Sequence, residues 1–211
     1  RHEYESVFMH TQDAVFLIDV AWPPANPENP VFRFLRLNST HEQLTGLTTD
    51  QVRGKTPAEV VGDELGATLN ANYLSCVEAK ETVVYDEVLD LPGGRRTWRT
   101  KLSPAFCSET GRVTQIVGTG RDISLEQRLR TEQQVFFEVS PDLFVILGQD
   151  RRFHQVSPSW AATLGWEPTA LVGSFVLDYV HADDREVVID SLGSLGADPT
   201  FCEFEARLRR S

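Results

Sequence analysis

The residues able to do chemistry in this chain are scattered rather than gathered. Of its five histidines, His2, His10, His41, His154 and His181, no two stand at the i, i+4 spacing that places imidazoles on one helix face. None neighbours a cysteine, so no metal-ligand set is present in the pattern, and each histidine reads as a surface or capping residue. Cys76, Cys107 and Cys202 are odd in number and far apart, which fits a reducing compartment better than a disulfide framework. Cys76 lies in a helical stretch and reads as a small buried residue rather than a thiolate. Asp183-Asp184-Arg185 matches neither an acid/base carboxylate pair nor a phosphate cradle; acids at a helix N-terminus explain it. No Gly-rich phosphate loop, Ser/His/Asp array or zinc spacing occurs, so nothing argues for catalysis. What remains is stacking surface. Phe34, Tyr73, Trp98, Thr100 and Trp160 are the candidate ligand-binding residues, against the plainer reading that Trp98, Thr100 and Leu102 alternate on one strand face and fill a core.

The elements that must position these residues come twice. Asn38, Gly46 and Gly54, eight apart, recur with the same spacing as Ser157, Gly165 and Gly173. Upstream, Val7-Phe8 through Ile18 aligns with Phe136-Phe137 through Ile146, and the surplus in the first copy is the Pro/Asn-rich 21–30 (AWPPANPENP), a loop insertion. Two copies of one unit organise the chain. In the first, 14–20 and 31–37 read as strands. Ser39 with Glu42, and Thr48 with Gln51, offer hydroxyl N-caps of short helices that Gly46 and Gly54 stop. A longer helix over 64–79 follows, then extended runs at 82–91, 95–106 and 113–120 separated by Pro92-Gly93-Gly94 and Ser108-Glu109-Thr110-Gly111 turns. The second copy repeats the order with strands at 143–147 and 153–157, a helix near 183–195 and a strand at 200–208. Between them, Ser124 and Gln127 are placed as a capping box for a polar helix whose seam Leu125, Leu129, Glu132, Phe136 and Val139 runs at 4-3-4-3 spacing. That seam reads either as a dimer contact or as a face resting on a domain.

Composition narrows the partners. Lys+Arg of 20 against Asp+Glu of 31 leaves a net charge of −11, which repels a nucleic-acid backbone. No apolar run approaches the ~18 residues that span a bilayer, and no signal peptide opens the sequence; the expectation is a soluble, cytoplasmic segment with no direct membrane contact.

In these residues the chain resembles the PAS family of sensory domains. The stretch from Asn38 to Gly46, then Val52-Arg53-Gly54-Lys55, resembles that family's strand end, helix and two glycines. Trp98 before Pro104, Glu109-Thr110-Gly111 and Gly118 through Ser124 are similar to its last two strands and its Asp-Ile-Ser exit. In the second copy Val180-His181-Ala182-Asp183-Asp184-Arg185 resembles its Val-His-Pro-Asp-Asp-Arg stretch, with Ala182 where Pro is usual. The resemblance implies an α+β fold: two PAS-like units, each a five-stranded antiparallel sheet with helices on one face, the second lacking its last strands in this sequence. The expected domains are 1–123 with an N-terminal helix, a connector helix at 124–139, and an incomplete second unit at 140–211.

Function follows from the same resemblance as expectation. The chain would be a sensory module that binds a small ligand or partner and relays the change through Asp122, Ser124, Leu125 and Leu129. The output domain would belong to the same polypeptide, most readily a histidine kinase, otherwise a cyclic-dinucleotide enzyme, and the module would be a homodimer. The alternatives are a ligand-free interaction scaffold, or a sensor holding flavin or haem. No cofactor is expected: haem-binding relatives carry a histidine on the long helix, where 64–79 and 183–195 have none, and light-sensing flavin relatives carry an Asn-Cys-Arg-Phe motif that is absent after Gly54 and Gly173.

Overall fold

Alternation of inward apolar and outward polar residues builds the first sheet. The computed structural model describes residues 8–9, 11–194 and 204–211. It divides into two compact units, the division falling between Arg128 and Leu129, inside a helix. In the first unit, strands β1 (Ala14–Ala21), β2 (Val31–Leu37), β3 (Val83–Leu91), β4 (Gly94–Phe106) and β5 (Val113–Asp122) form one antiparallel sheet in the order β2-β1-β5-β4-β3. Between β2 and β3 the chain makes four helices, α1 (Ser39–Thr45), α2 (Thr49–Val52), α3 (Pro57–Val61) and α4 (Asp63–Ala79). The core lies between α4 and the sheet, where Leu69, Tyr73 and Val77 meet Phe16, Ile18, Phe32, Leu102 and Ile116. Segment 22–30 is a loop, pinned where the Trp22 indole N–H donates to the Val113 carbonyl at 2.8 Å.

Local chemistry sets the helix ends. The N-cap of α1 is Asn38 and not Ser39, because the Asn38 amide oxygen accepts the His41 N–H. A residue at the end of a strand already has the extended backbone that an N-cap needs. Glu42 therefore does not close a capping box and accepts instead from the Thr49 N–H at 2.7 Å. Thr48 and Gln51 do form the reciprocal box of α2. Thr56 and Glu59 form another at α3, a helix whose Thr-Pro-Ala-Glu signal sequence reasoning passed over. Gly46 ends α1 at φ +72°, and a side chain there would strike the backbone of Gly93, the tip of the β3–β4 hairpin, whose N–H donates to the Thr45 carbonyl.

Helix α5 (Ser124–Val139) starts at Ser124 itself. The Ser124 hydroxyl does not cap its own helix but accepts the Thr97 N–H of β4 at 2.9 Å, and β5 runs on to Asp122, past the expected end at Gly120. The second unit holds β6 (Val145–Leu147) paired with β7 (Phe153–Val156), α6 (Ser159–Leu164), α7 (Pro168–Leu171), two 3₁₀ turns and α8 (Arg185–Ser194) around Phe153, Trp160 and Leu171. The strand expected at 200–208 lies partly outside the described residues. Its described part, from Phe204, is no strand: only Leu208 bridges, to Val180, since among the described residues no long strand runs beside it as β4 runs beside β3. The segment binds by separate bonds instead, Arg209 N–H to the Tyr179 carbonyl and Ser211 N–H to the Leu164 carbonyl, with Arg207 forked onto Asp184. The N-terminal helix, the end of the 183–195 helix and Cys202 lie wholly or largely outside the described residues.

Asn38 ties β1, β2 and α1 together. Its amide oxygen accepts from both Val15 N–H and His41 N–H at 2.8 Å, and its amide nitrogen donates to the Asp13 carbonyl at 3.0 Å. Asn38→Ala leaves these groups unmatched in the interior. The expected loss is about 2–4 kcal/mol of stability, read from urea unfolding; a loss under about 1 kcal/mol would show that the amide is not the tie.

Candidate functional site

Two glycines open a space inside the first unit. Gly118 pairs with Phe16 and Leu102 across the sheet, and Gly120 with Ala14 and Thr100. A side chain at Gly118 would occupy the position of the Phe16 ring, so glycine there lets the ring lie flat on β5. Beside them is a cavity of about 50 Å³ whose wall includes Phe34, His41, Tyr73, Glu87, Trp98 and Thr100. Four of the five sequence candidates, Phe34, Tyr73, Trp98 and Thr100, thus share one cavity. Trp160 does not join them: it is buried in the second unit, its ring edge-on to Phe153 at 5.5 Å.

The polar part of the wall was largely missed from sequence. Strand β3 alternates strictly, and Glu87 falls on the inward parity with Tyr85 and Leu89; a charged residue at that parity was the available signal. The Thr100 hydroxyl donates to Glu87 Oε1 at 2.6 Å, and burial pushes the carboxyl pKa up despite that bond. His41 is also corrected. Rather than standing on the surface, its ring lies edge-on to Phe16 at 5.5 Å and lines the cavity. Burial lowers its pKa from 6.5 to about 4, against the opposing pull of Glu42. His154 and His181 are exposed, and His181 Nδ1 accepts from the Asp183 N–H. Cys76 is buried, with its thiol pKa raised by desolvation.

One row of residues runs from the cavity to the connector. Glu87, Trp98 and Asp122 stand opposite one another on β3, β4 and β5. Desolvation works against the Asp122 carboxylate, yet Ser124 and Arg96 hold its pKa below the usual range. Arg96 donates to Asp122 Oδ2 at 2.6 Å and the Ser124 N–H to Oδ1 at 2.9 Å, while the Ile123 N–H donates to the Thr97 carbonyl at 2.9 Å. The start of α5 is therefore latched to β4. Leu125 and Leu129, the other relay candidates, lie on α5 at 69% and 51% exposure.

As it stands the cavity does not fit a flavin or a haem, since pockets for ligands of that size occupy roughly 300–1,000 Å³. No cysteine stands in its wall. Among the described residues no cluster of His, Cys, Asp or Glu could hold a metal ion, and no helix is long and apolar enough to cross a membrane.

A five-stranded antiparallel sheet with helices over a small cavity, its last strand latched to an exit helix, defines a single-sheet α+β domain. A family model described as PAS fold matches residues 29–128 and one described as PAS domain matches residues 127–197: the chain belongs to the PAS family, as a tandem. PAS domains are signal-sensing modules. No curated protein matches the sequence. Among solved structures, an RNA-binding light-oxygen-voltage receptor superposes with a TM-score of 0.49 at 18% identity, over 64% of this chain and 36% of its own, so the chain spans about a third of that protein. The PAS domain of a protein from Colwellia psychrerythraea gives 0.47 at 15% identity, over 59% of this chain and 97% of its own. A domain of a sensory box sensor histidine kinase/response regulator from Geobacter sulfurreducens gives 0.42 at 18%, over 57% and 92%. Likenesses this distant carry no ligand and no output.

The His41 shift has a readable consequence. As pH falls from 6.5 toward about 4 the unfolded chain takes up a proton that the folded one refuses. The stability owed to the neutral ring is complete above pH 6.5 and is lost across that window. In His41→Phe that loss should vanish, so the difference between urea midpoints at pH 7.5 and pH 5 shrinks relative to the parent. An identical difference in both proteins would place the ring in water.

Proposed function

We infer that the chain is a sensory module in which the first unit's cavity binds a small, mostly apolar molecule and α5 passes the change to an output domain of the same polypeptide, a histidine kinase by preference. The observation that carries this reading is the row Glu87, Trp98 and Asp122. Its two cavity residues and its latch residue are direct neighbours across the ladder, so a shift of the Trp98 backbone is a shift of the strand position paired with Asp122 and two residues from Arg96, which bonds it. A coupling of about 1–3 kcal/mol is ordinary for such a switch and asks for no change of fold. The reading assigns no catalysis to this chain, and a cytoplasmic setting suits Cys76 and Cys107, which form no disulfide. The small volume of the cavity favours a second reading, a scaffold with filled cores and no ligand. Mass spectrometry of small molecules extracted from the native protein separates the two.

The latch is tested by Asp122→Ala. It removes the acceptor of Arg96 and of the Ser124 N–H, at a cost of about 1–2 kcal/mol, and amide hydrogen exchange over 124–128 should quicken while the core of the sheet stays protected. Unchanged exchange there would take Asp122 out of the relay.

The helix itself offers the assembly. Leu125, Leu129, Phe136 and Val139 of α5 are all half or more exposed, an apolar stripe of the kind that finds a partner. Glu132 within it suits a loose and switchable pairing, and a symmetric dimer is the commonest soluble assembly. Light scattering should show a dimer at high micromolar concentration that Leu129→Glu converts to monomer. A mass that stays monomeric in both proteins would dismiss the seam as an interface.

A further inference from the structure

Two residues of the cavity wall each keep one buried polar atom unmatched, an acceptor on one and a donor on the other. Glu87 Oε1 is taken by the Thr100 hydroxyl, but Oε2 is buried without a hydrogen-bond partner, and so is the indole N–H of Trp98. The two residues face each other in the β3–β4 register and both line the cavity. Buried polar atoms are matched as a rule, and an unmatched one marks either a lost stability contribution or a missing partner. Water can answer the polar pair but gains little from the apolar wall of Phe16, Phe34, Leu37 and Leu69. A small ring with both polar atoms on one edge satisfies the pair and the wall together.

We propose that the first unit takes a small, uncharged ring compound presenting an N–H donor beside an acceptor on one edge, as a lactam or an azole does. Its N–H bonds to Glu87 Oε2 and its acceptor receives the Trp98 indole N–H. The volume of about 50 Å³ limits the ring to something near the smallest cyclic molecules unless side chains move. The burial that raises the Glu87 pKa fits this class: a neutral donor needs no counter-charge to be drawn into the interior. The assignment rests on the reading of this cavity as the sensory site.

Three five-membered rings of similar size test it on the whole chain by ligand-observed NMR titration: 2-pyrrolidinone with donor and acceptor, cyclopentanone with acceptor only, and cyclopentane with neither. A purely apolar cavity prefers cyclopentane, because polar rings give up hydration to enter it. The expected result is 2-pyrrolidinone bound at least tenfold more tightly than cyclopentane, with cyclopentanone between. Glu87→Leu should reverse that order, and Glu87→Gln, whose amide oxygen can take the Oε2 position while its NH2 donates to the Thr100 hydroxyl, should preserve it; thermal unfolding of both variants checks that they remain folded. Rings bound with no preference for 2-pyrrolidinone, or a preference that survives Glu87→Leu, would overturn the donor-acceptor assignment while leaving the cavity as the site. If none of the three binds, the cavity reading fails with it.

Discussion

Where two strands end side by side and the chain turns away into helices, backbone N–H and carbonyl groups lose their ladder partners and must be satisfied by something local. In the first unit one amide does this. Asn38 accepts from the N–H of Val15 in β1 and of His41 in α1, and returns a bond to the Asp13 carbonyl. The second unit solves the same problem with shorter side chains. The Ser157 hydroxyl accepts from the Phe144 N–H at 3.0 Å, and the Ser159 hydroxyl donates to the Asp142 carbonyl at 2.6 Å. The first mark of the repeat is thus a hydrogen-bonding role that Asn fills alone and two serines fill together. The helices after it, and the cavity they roof, start from that point.

The cavity is a consequence of what the sheet leaves out. Glycine at 118 and 120 removes side chains from the inner face of β5, and Phe16 and Trp98 turn into the vacated space without filling it all. Against an apolar wall the chain places Glu87, whose desolvation costs free energy in the folded state: its raised pKa means that this cost is absent at low pH and grows as pH rises from the ordinary glutamate range through the raised value. A buried carboxyl with one oxygen unmatched is a poor choice for stability alone. It stands opposite Trp98, in the row that ends at Asp122.

The exit from the sheet is over-determined in a way the second unit's lower edge is not. Asp122, Ile123 and Ser124 make bonds to Arg96 and to both backbone groups of Thr97, so the first turn of α5 continues the hydrogen-bonded sheet. In the second unit residues 204–211 are held by scattered bonds and by the Arg207 fork on Asp184, which draws the pKa of that carboxyl well down through its hydrogen bonds. The first arrangement joins the helix to a ladder; the second anchors a segment.

Much of this was legible in the residues themselves. The doubled Asn/Ser-Gly-Gly spacing, the capping box at Thr48, the glycine stops at Gly46 and Gly165 and the hairpin turn at Pro92-Gly93 rest on local backbone chemistry, which acts between neighbours in sequence, and they fixed the element order and the family likeness; the helices expected to stop at Gly54 and Gly173 are capped one residue earlier, by Arg53 and Val172. The candidates Phe34, Tyr73, Trp98 and Thr100 were named from type and alternation, but nothing local could say that they share a cavity or that Trp160 stands apart. The inward Glu87 was visible as a parity and was still missed, because its meaning depends on Thr100 and Trp98 across the ladder. Asn38 displaced Ser39 as the cap because Val15 and Asp13, distant in sequence, claim the same amide; Ser124 lost its capping role because Thr97 of a neighbouring strand takes its hydroxyl. Periodicity and turn chemistry determined which elements form. Pairing between segments far apart in the chain decided which polar atoms were satisfied and which were left unmatched, because each hydrogen-bonding atom goes to whichever neighbour the fold brings into reach.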